Sequence, residues 1–291
     1  MSGASIITYV PVKAEAANIE QYRALFADCF PGVEKFKHPE FLTWLYVDNP
    51  DGHVVGFDAF DGERLIAHYA CIPASLRLRG NVVRALLSLN TATHPDFQGK
   101  GLFSRLADMT YRHGADLGFD CVYGVANANS TPGFVRKLGF QLVQPLEARV
   151  GFGSLGIDFS AVARDAEFER IWRPESIGWR QANPTNPIRS WSTRGRRCFE
   201  SDAAGRLVSA YAELPASDTP QIYTGARALQ SPGRVYLGLV PEGACAFRTY
   251  LPIPSRLRPA PLNLIYRSLA KDGDQVSRGA IQFTYMDFDA Y

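Results

Sequence analysis

The chain has 291 residues, 46% of them apolar and 21% charged, which excludes a disordered chain, a collagen-like fibre and a disulfide-rich scaffold. Its 31 Lys plus Arg against 29 Asp plus Glu give a net charge of +2, too small a basic excess for counterion-driven nucleic-acid binding. The length suggests two domains or one large one.

Ile6 to Val12 is a β-branched run that predicts a strand. Ala16 to Phe30 places Ile19, Tyr22, Phe26 and Phe30 near one helical face, and Pro31-Gly32 stops that helix. Val54 to Phe60 and Arg64 to Arg77 predict two strands joined at Asp61-Gly62, and Gly80-Asn81 turns the chain into a third, Val82 to Thr93. A polar loop follows, His94-Pro95-Asp96-Phe97-Gln98-Gly99-Lys100-Gly101. The next helix carries Leu102, Leu106, Met109, His113 and Leu117 on one face, and Gly118 closes it. Cys121 to Val125 predicts a short buried strand. Thr131 is expected to cap a further helix that begins at Pro132 and ends at Gly139.

The second half is less regular and echoes the first. Pro39-Glu40 and Trp44, followed by Asn49-Pro50, return as Pro174-Glu175 and Trp179, followed by Asn183-Pro184. The Pro-Glu and Trp offsets are 174 − 39 = 179 − 44 = 135. Two half-length units of similar plan account for this spacing, and the expected division is residues 1–150 and 151–291. The five cysteines are far apart, with no CxxC and no Cys/His cluster at zinc-ligand spacing, so neither a disulfide framework nor a metal site is expected. Met1 to Ser5 carries no secretory pattern, and no run approaches the ~18 apolar residues of a membrane span. A reduced, cytoplasmic protein is expected.

A strand, a glycine loop and a helix in that order form a natural anion cradle. The helix N-terminus offers unpaired N–H groups and the positive end of its dipole, and glycines let an anion approach the backbone. Gln98, Gly99, Lys100, Gly101, Leu102 and Phe103 would supply it. The segment is neither a P-loop nor a dinucleotide fingerprint. Together, Thr91-Ala92-Thr93-His94-Pro95 and Gln98-Gly99-Lys100-Gly101-Leu102-Phe103 resemble the acetyl-CoA signature of the GNAT acetyltransferase superfamily, with Phe103 in place of its last small residue. Asn127-Ala128-Asn129-Ser130 and Lys137-Leu138-Gly139-Phe140 resemble the second signature of the same family. The resemblance covers about residues 5–148.

The resemblance implies an α/β fold, a mixed central sheet in which two parallel strands splay apart to hold acetyl-CoA, with an α+β, GNAT-like second half shaping the acceptor site. It implies acetyl transfer from acetyl-CoA, as cosubstrate, to a primary amine of a small molecule. Thr91, Ala92 and Thr93 would line the pantetheine arm, a backbone N–H near Ala92 or Thr93 would polarise the carbonyl, and Asn127 and Asn129 would border the second strand. Members with a Trp near Asn-Pro and a second half resemble enzymes whose acceptor is a nucleotide-linked amino sugar. The family's usual Tyr acid is replaced by Val135, and the strand before the loop has Ser88 and Asn90 where a Glu is common. His68, Asn90 and Tyr123 are the substitutes, each with an ordinary packing role as its alternative. A non-catalytic acyl-CoA binder is the rival reading.

Gly151-Phe152-Gly153-Ser154-Leu155-Gly156 matches a dinucleotide pattern literally, but no βαβ unit surrounds it. It reads as a flexible link between the halves. Arg194, Arg196 and Arg197, and Arg256 with Arg258, read as solvated faces or as grips for a phosphorylated acceptor. Phe283 to Tyr291 alternates apolar and acidic residues like an edge strand.

Overall fold

The computed structural model describes residues 6–203, 208–216, 233–254, 256, 261–270 and 273–288. Met1 to Ser5, Arg258 and Asp289 to Tyr291 lie outside the described residues. Strand β1 (Ile7–Pro11) leads to helix α1 (Ala16–Cys29), helix α2 (Pro39–Tyr46) and strands β2 (Val55–Asp61), β3 (Arg64–Leu78) and β4 (Asn81–Thr93). These four strands pair antiparallel in sequence order. Helix α1 buries Ile19, Tyr22, Leu25 and Phe26, the face its spacing predicts. Helix α2 starts with Pro39, where a missing N–H costs nothing, and buries Phe41, Leu42, Trp44, Leu45 and Tyr46. The β3–β4 turn uses Arg79 and Gly80, at φ +49° and +80°, rather than Gly80-Asn81. Two left-handed residues match the twist of an antiparallel pair, and Asn81 already pairs with Leu78.

Helix α3 (Leu102–Asp116), strand β5 (Cys121–Ala126), helix α4 (Thr131–Leu138) and strand β6 (Gln141–Pro145) complete the first half. Thr131 is the first residue of α4 rather than its cap. Its hydroxyl donates to the Asn127 carbonyl at 2.7 Å. Gly139 ends α4 at φ +67°, as its lack of a side chain permits.

The second half contains β7 (Glu147–Gly151), α5 (Phe159–Asp165), β8 (Phe168–Arg170), α6 (Pro174–Gln181), β9 (Arg189–Thr193), β10 (Arg196–Asp202), β11 (Val208–Pro215), β12 (Gly233–Leu239), β13 (Tyr250–Pro252), β14 (Asn263–Ser268) and β15 (Ile281–Thr284). Together the strands form one 15-stranded sheet. Strand β14 lies between β5 and β6, antiparallel to both. Strand β7 lies between β12 and β13, again antiparallel to both. Both β5 and β12 also have a parallel neighbour, β4 and β11 respectively. Each half thus receives, beside its parallel pair, a strand from the other half, and pairing crosses residue 150 in both directions.

The segment expected to link the halves flexibly is instead locked in place. Gly151 pairs with Arg234 and Tyr250, so closely that a Cβ there would lie 2.2 Å from the Thr249 carbonyl oxygen. Leu155 and Ile157 are core residues. The expected terminal edge strand is also corrected. Strand β15 sits inside the sheet between β8 and β12, and all four of its residues are buried.

The sequence echo has a physical meaning. Trp44 on α2 and Trp179 on α6 stack with centroids 4.8 Å apart and planes 18° apart. Each indole donates to the other's backbone carbonyl, at 2.8 and 2.9 Å. The two side chains therefore meet as equivalents across a local two-fold. Asn49 and Asn183 share a role as well, their Oδ1 atoms accepting from the N–H two residues on, Asp51 and Thr185.

Beyond β15, the Thr284 N–H and hydroxyl donate to Asp287 Oδ2 at 2.6 and 2.9 Å. Burial pushes the Asp287 carboxyl from 3.8 up to about 6, against the opposing pull of Arg170, Thr284 and Arg180. A carboxyl that binds its proton more tightly when folded stabilises the fold below its unfolded pKa. That contribution is lost as pH rises through the folded value, by roughly 3 kcal/mol in total. Asp287→Asn is expected to flatten the fall in stability between about pH 4 and pH 7 by this amount. Urea unfolding at several pH values checks it, and matching profiles for variant and wild type would contradict it.

Candidate functional site

Parallel pairing of β4 with β5 runs from Ala85–Cys121 to Ser88–Gly124 and then stops. Beyond that point β4 continues to Thr93 and β5 to Ala126, so the strands part and their facing backbone groups leave the ladder. The glycine loop lies at the far end of β4. His94 shapes the turn, its Nδ1 accepting from the Asp96 N–H at 3.2 Å. Gln98 donates from Nε2 to the Thr93 carbonyl at 3.3 Å, and the Lys100 ammonium lies 4.4 Å from the Phe97 ring centroid. Gly99 and Gly101 both have φ +76°, and an added Cβ at either would meet nothing within 4 Å. Gly101 is the boundary residue of α3 and offers no side-chain cap. The first-turn N–H groups of Leu102, Phe103 and Ser104 thus have no helical acceptor, and the positive end of the dipole faces open space. The loop presents unbonded N–H groups suited to an anion, beside the gap where β4 and β5 part.

At the splay, β4 carries a bulge. Tyr69 pairs with Thr91 and Ala70 with Leu89, which leaves Asn90 as the extra residue. Its φ of +45° is left-handed, a conformation that Asn tolerates better than most residues. The Asn90 Nδ2 donates to the Tyr46 hydroxyl at 3.0 Å. That hydroxyl lies 2.9 Å from His68 Nε2, and His68 Nδ1 lies 2.6 Å from Asp58 Oδ1. Tyr22 donates to Asp58 Oδ2 at 2.8 Å. With Asn90 donating to Tyr46, one compatible arrangement has the phenol donating to Nε2 and Nδ1–H donating to Asp58. Asp58, His68, Tyr46 and Tyr22 are at most 2% exposed. Burial and the Asp58 charge push the Tyr22 phenol far above its ordinary range.

Two of the three sequence candidates, His68 and Asn90, are therefore joined through Tyr46, with Asp58 behind His68, and the sequence reading missed both Tyr46 and Asp58. Asp58 and His68 face each other across the β2–β3 pair, so a hairpin register was the available signal. Tyr123, the third, lies apart. It sits on β5 as expected, with its side chain buried in the core, edge-on to Phe168 and Phe283, and its hydroxyl has no hydrogen-bond partner among the described residues. Ser88, at the last β4–β5 pair, lies 2.7 Å from the Tyr69 hydroxyl, which lies 2.5 Å from that of Tyr111. Burial raises both phenols well above their usual value.

Phe103 packs between helices, its ring 5.3 Å from Phe134 and 6.0 Å from Tyr69. Asn127 turns its Oδ1 toward the N–H groups of Asn129 and Ser130, both at 3.0 Å. That bond shapes the entry to α4, and Asn129 is exposed on the same turn. Among the described residues no group of three or more His, Cys, Asp or Glu side chains is placed to hold a metal. No described helix is long and apolar enough to cross a membrane.

Residues 12–143 match the family model described as an acetyltransferase (GNAT) domain. The fold is the GNAT fold. No curated protein matches the sequence. Among solved structures, the chain is similar to the GCN5-related N-acetyltransferase from Anabaena variabilis ATCC 29413, at 13% identity and TM-score 0.55, over 90% of this chain and 73% of that one. It is also similar to a probable N-acyltransferase from Enterococcus faecalis V583, at 11% identity and TM-score 0.57, over 91% and 73% of the two chains. A third is the GCN5-related N-acetyltransferase from Kribbella flavida, at 14% identity and TM-score 0.58, over 90% and 71%. At these identities the likeness is one of fold, and it extends past the GNAT domain match into the second half.

Proposed function

We propose that this protein transfers an acetyl group from acetyl-CoA to a primary amine of a small molecule. The observation that carries the reading is the buried chain Asp58–His68–Tyr46–Asn90 ending at the bulge where β4 leaves β5. Bound in the splay, acetyl-CoA would supply an acetyl group activated as a thioester. The N–H groups of Leu102, Phe103 and Ser104, beside Gly99, Lys100 and Gly101, would hold its phosphates, and Thr91 to Thr93 would line its arm.

Asn90 spends its Nδ2 on Tyr46, so its Oδ1 is the atom left to accept an N–H from the amine and orient it. Tyr46 takes the amine's proton while passing its own to His68 Nε2, and Asp58 stabilises the resulting imidazolium. A backbone N–H at Ala92 or Thr93 would polarise the carbonyl oxygen. Among amines, we take a nucleotide-linked amino sugar as the acceptor to test first. All five cysteines are free, and burial pushes Cys71 and Cys121 up to about 12, which fits a reduced cytoplasmic setting.

The experiment is thiol release from acetyl-CoA in the presence of a panel of primary amines, nucleotide-linked amino sugars included. Turnover with any of them supports the reading. Acetyl-CoA binding without turnover across the panel would favour a non-catalytic acyl-CoA binder instead.

A further inference from the structure

Where β4 leaves β5, the two faces of the sheet carry different groups. On one face Asn90 donates to Tyr46 of α2, and the core there is built with α1 and α2. On the other face the Ser88 hydroxyl lies 2.7 Å from that of Tyr69 on β3. The Tyr69 hydroxyl lies 2.5 Å from that of Tyr111 on α3, and the core there is built with α3 and α4. Ser88 is the last β4 residue in the parallel ladder, opposite Gly124, and it is half-buried. A Cβ at Gly124 would lie 3.3 Å from that of Ser88. With no side chain at Gly124, β5 leaves the place beside the Ser88 side chain unfilled.

We propose that Ser88 is a catalytic residue of acetyl transfer, its hydroxyl donating a hydrogen bond to the departing sulfur. This rests on acetyl-CoA lying in the splay, with its phosphates at the N-terminus of α3 and thus on the Ser88 face. The amine is oriented on the Asn90 face, and a tetrahedral carbon holds its incoming and outgoing groups in different directions. As the C–S bond breaks, the electron pair stays on sulfur and Ser88 keeps its proton. CoA leaves as the thiolate while the amine's proton is held at His68, and both charges are released to solvent.

Tyr111 and Tyr69 free the Ser88 hydrogen for this purpose. The Arg267 guanidinium lies 5.0 Å from the Tyr111 ring centroid, and a cation over the ring makes the phenol a better donor. In one compatible arrangement Tyr111 donates to Tyr69, and Tyr69 donates to Ser88 Oγ. The Ser88 hydrogen then has the Cys71 thiol, opposite on β3, as its protein acceptor. A thiol is a weak acceptor, and a charged thiolate outcompetes it. Val135, at the place of the family's usual Tyr acid, has no hydrogen to offer the sulfur.

The test compares wild type, Ser88→Ala, Ser88→Cys and Tyr111→Phe in thiol release from acetyl-CoA with the same amine panel, beside calorimetric titration of acetyl-CoA. Removing one donor aimed at developing charge on oxygen lowers kcat by about 10²–10³-fold, and sulfur accepts more weakly. Ser88→Ala is therefore expected to lower kcat by about 10–100-fold with acetyl-CoA affinity unchanged. Ser88→Cys, a weak donor, should fall between Ala and wild type, and Tyr111→Phe should lose less than Ser88→Ala. Wild-type kcat in Ser88→Ala, or a loss confined to acetyl-CoA affinity, would overturn the inference and leave acetyl transfer standing. Absence of turnover by wild type with every amine would overturn acetyl transfer itself, and this role of Ser88 with it.

Discussion

Replacing Tyr46 by Phe should lower kcat for amine acetylation by about 10²–10⁴-fold while leaving acetyl-CoA affinity unchanged. This is the range expected when a positioned proton acceptor is removed. The phenol ring, buried beside Tyr22 and His68, stays in place, so packing is kept. What is lost is the single oxygen that joins Asn90 to His68. The variant leaves His68 Nε2 without its donor, at a stability cost of about 1–3 kcal/mol. His68→Ala is a poorer probe, because it strands the Asp58 charge in the core and is expected to cost about 3–5 kcal/mol. Stopped assays of thiol release alongside acetyl-CoA titration separate the two effects. Turnover of Tyr46→Phe at the wild-type rate would remove Tyr46 from the proton route.

The second large effect concerns stability. Trp44→Ala and Trp179→Ala should each lower the unfolding free energy by about 3–5 kcal/mol, as for other buried aromatic truncations. Each removes a ring from a stacked pair and leaves the partner's backbone carbonyl without its indole donor. The double variant loses the same stack only once. Its effect should therefore fall short of the sum of the singles by an interaction energy of about 0.5–3 kcal/mol. Urea unfolding of the four proteins in the cycle measures this. Strict additivity would mean that the two tryptophans act independently and that the local two-fold carries no energy.

What could be read from the sequence follows the range of the interactions concerned. The glycine loop and the hairpin at Gly62 are set by residues within a few positions of one another, and the structure contains both. Of the expected α3 face only Leu102 and Leu106 are buried, because the buried stripe runs instead through Ala107, Thr110, Tyr111 and Gly114, and Leu117 is exposed. The tryptophan echo was legible as spacing, though not as a mutual contact. The Asp58–His68–Tyr46 chain was not legible, because it depends on the β2–β3 register and on where α2 lands. The exchange of β7 and β14 was hidden for the same reason. Nothing local to Asn263–Ser268 says that it will enter between β5 and β6. Asp287 read as an edge-strand acid because acidic alternation ordinarily faces water. Here its partner is its own neighbour, Thr284, so it can be buried.

The account stands on the splay and glycine loop holding acetyl-CoA, and calorimetric titration of acetyl-CoA into wild type and Gly101→Asp tests this most directly. The Asp side chain has open space, with nothing within 4 Å of its Cβ, and Asp is among the residues that adopt left-handed backbone. The variant is thus expected to fold, with a carboxylate placed against the phosphates. The predicted result is saturable binding to wild type and its loss in the variant. No binding to wild type, or equal binding to both, would contradict the account.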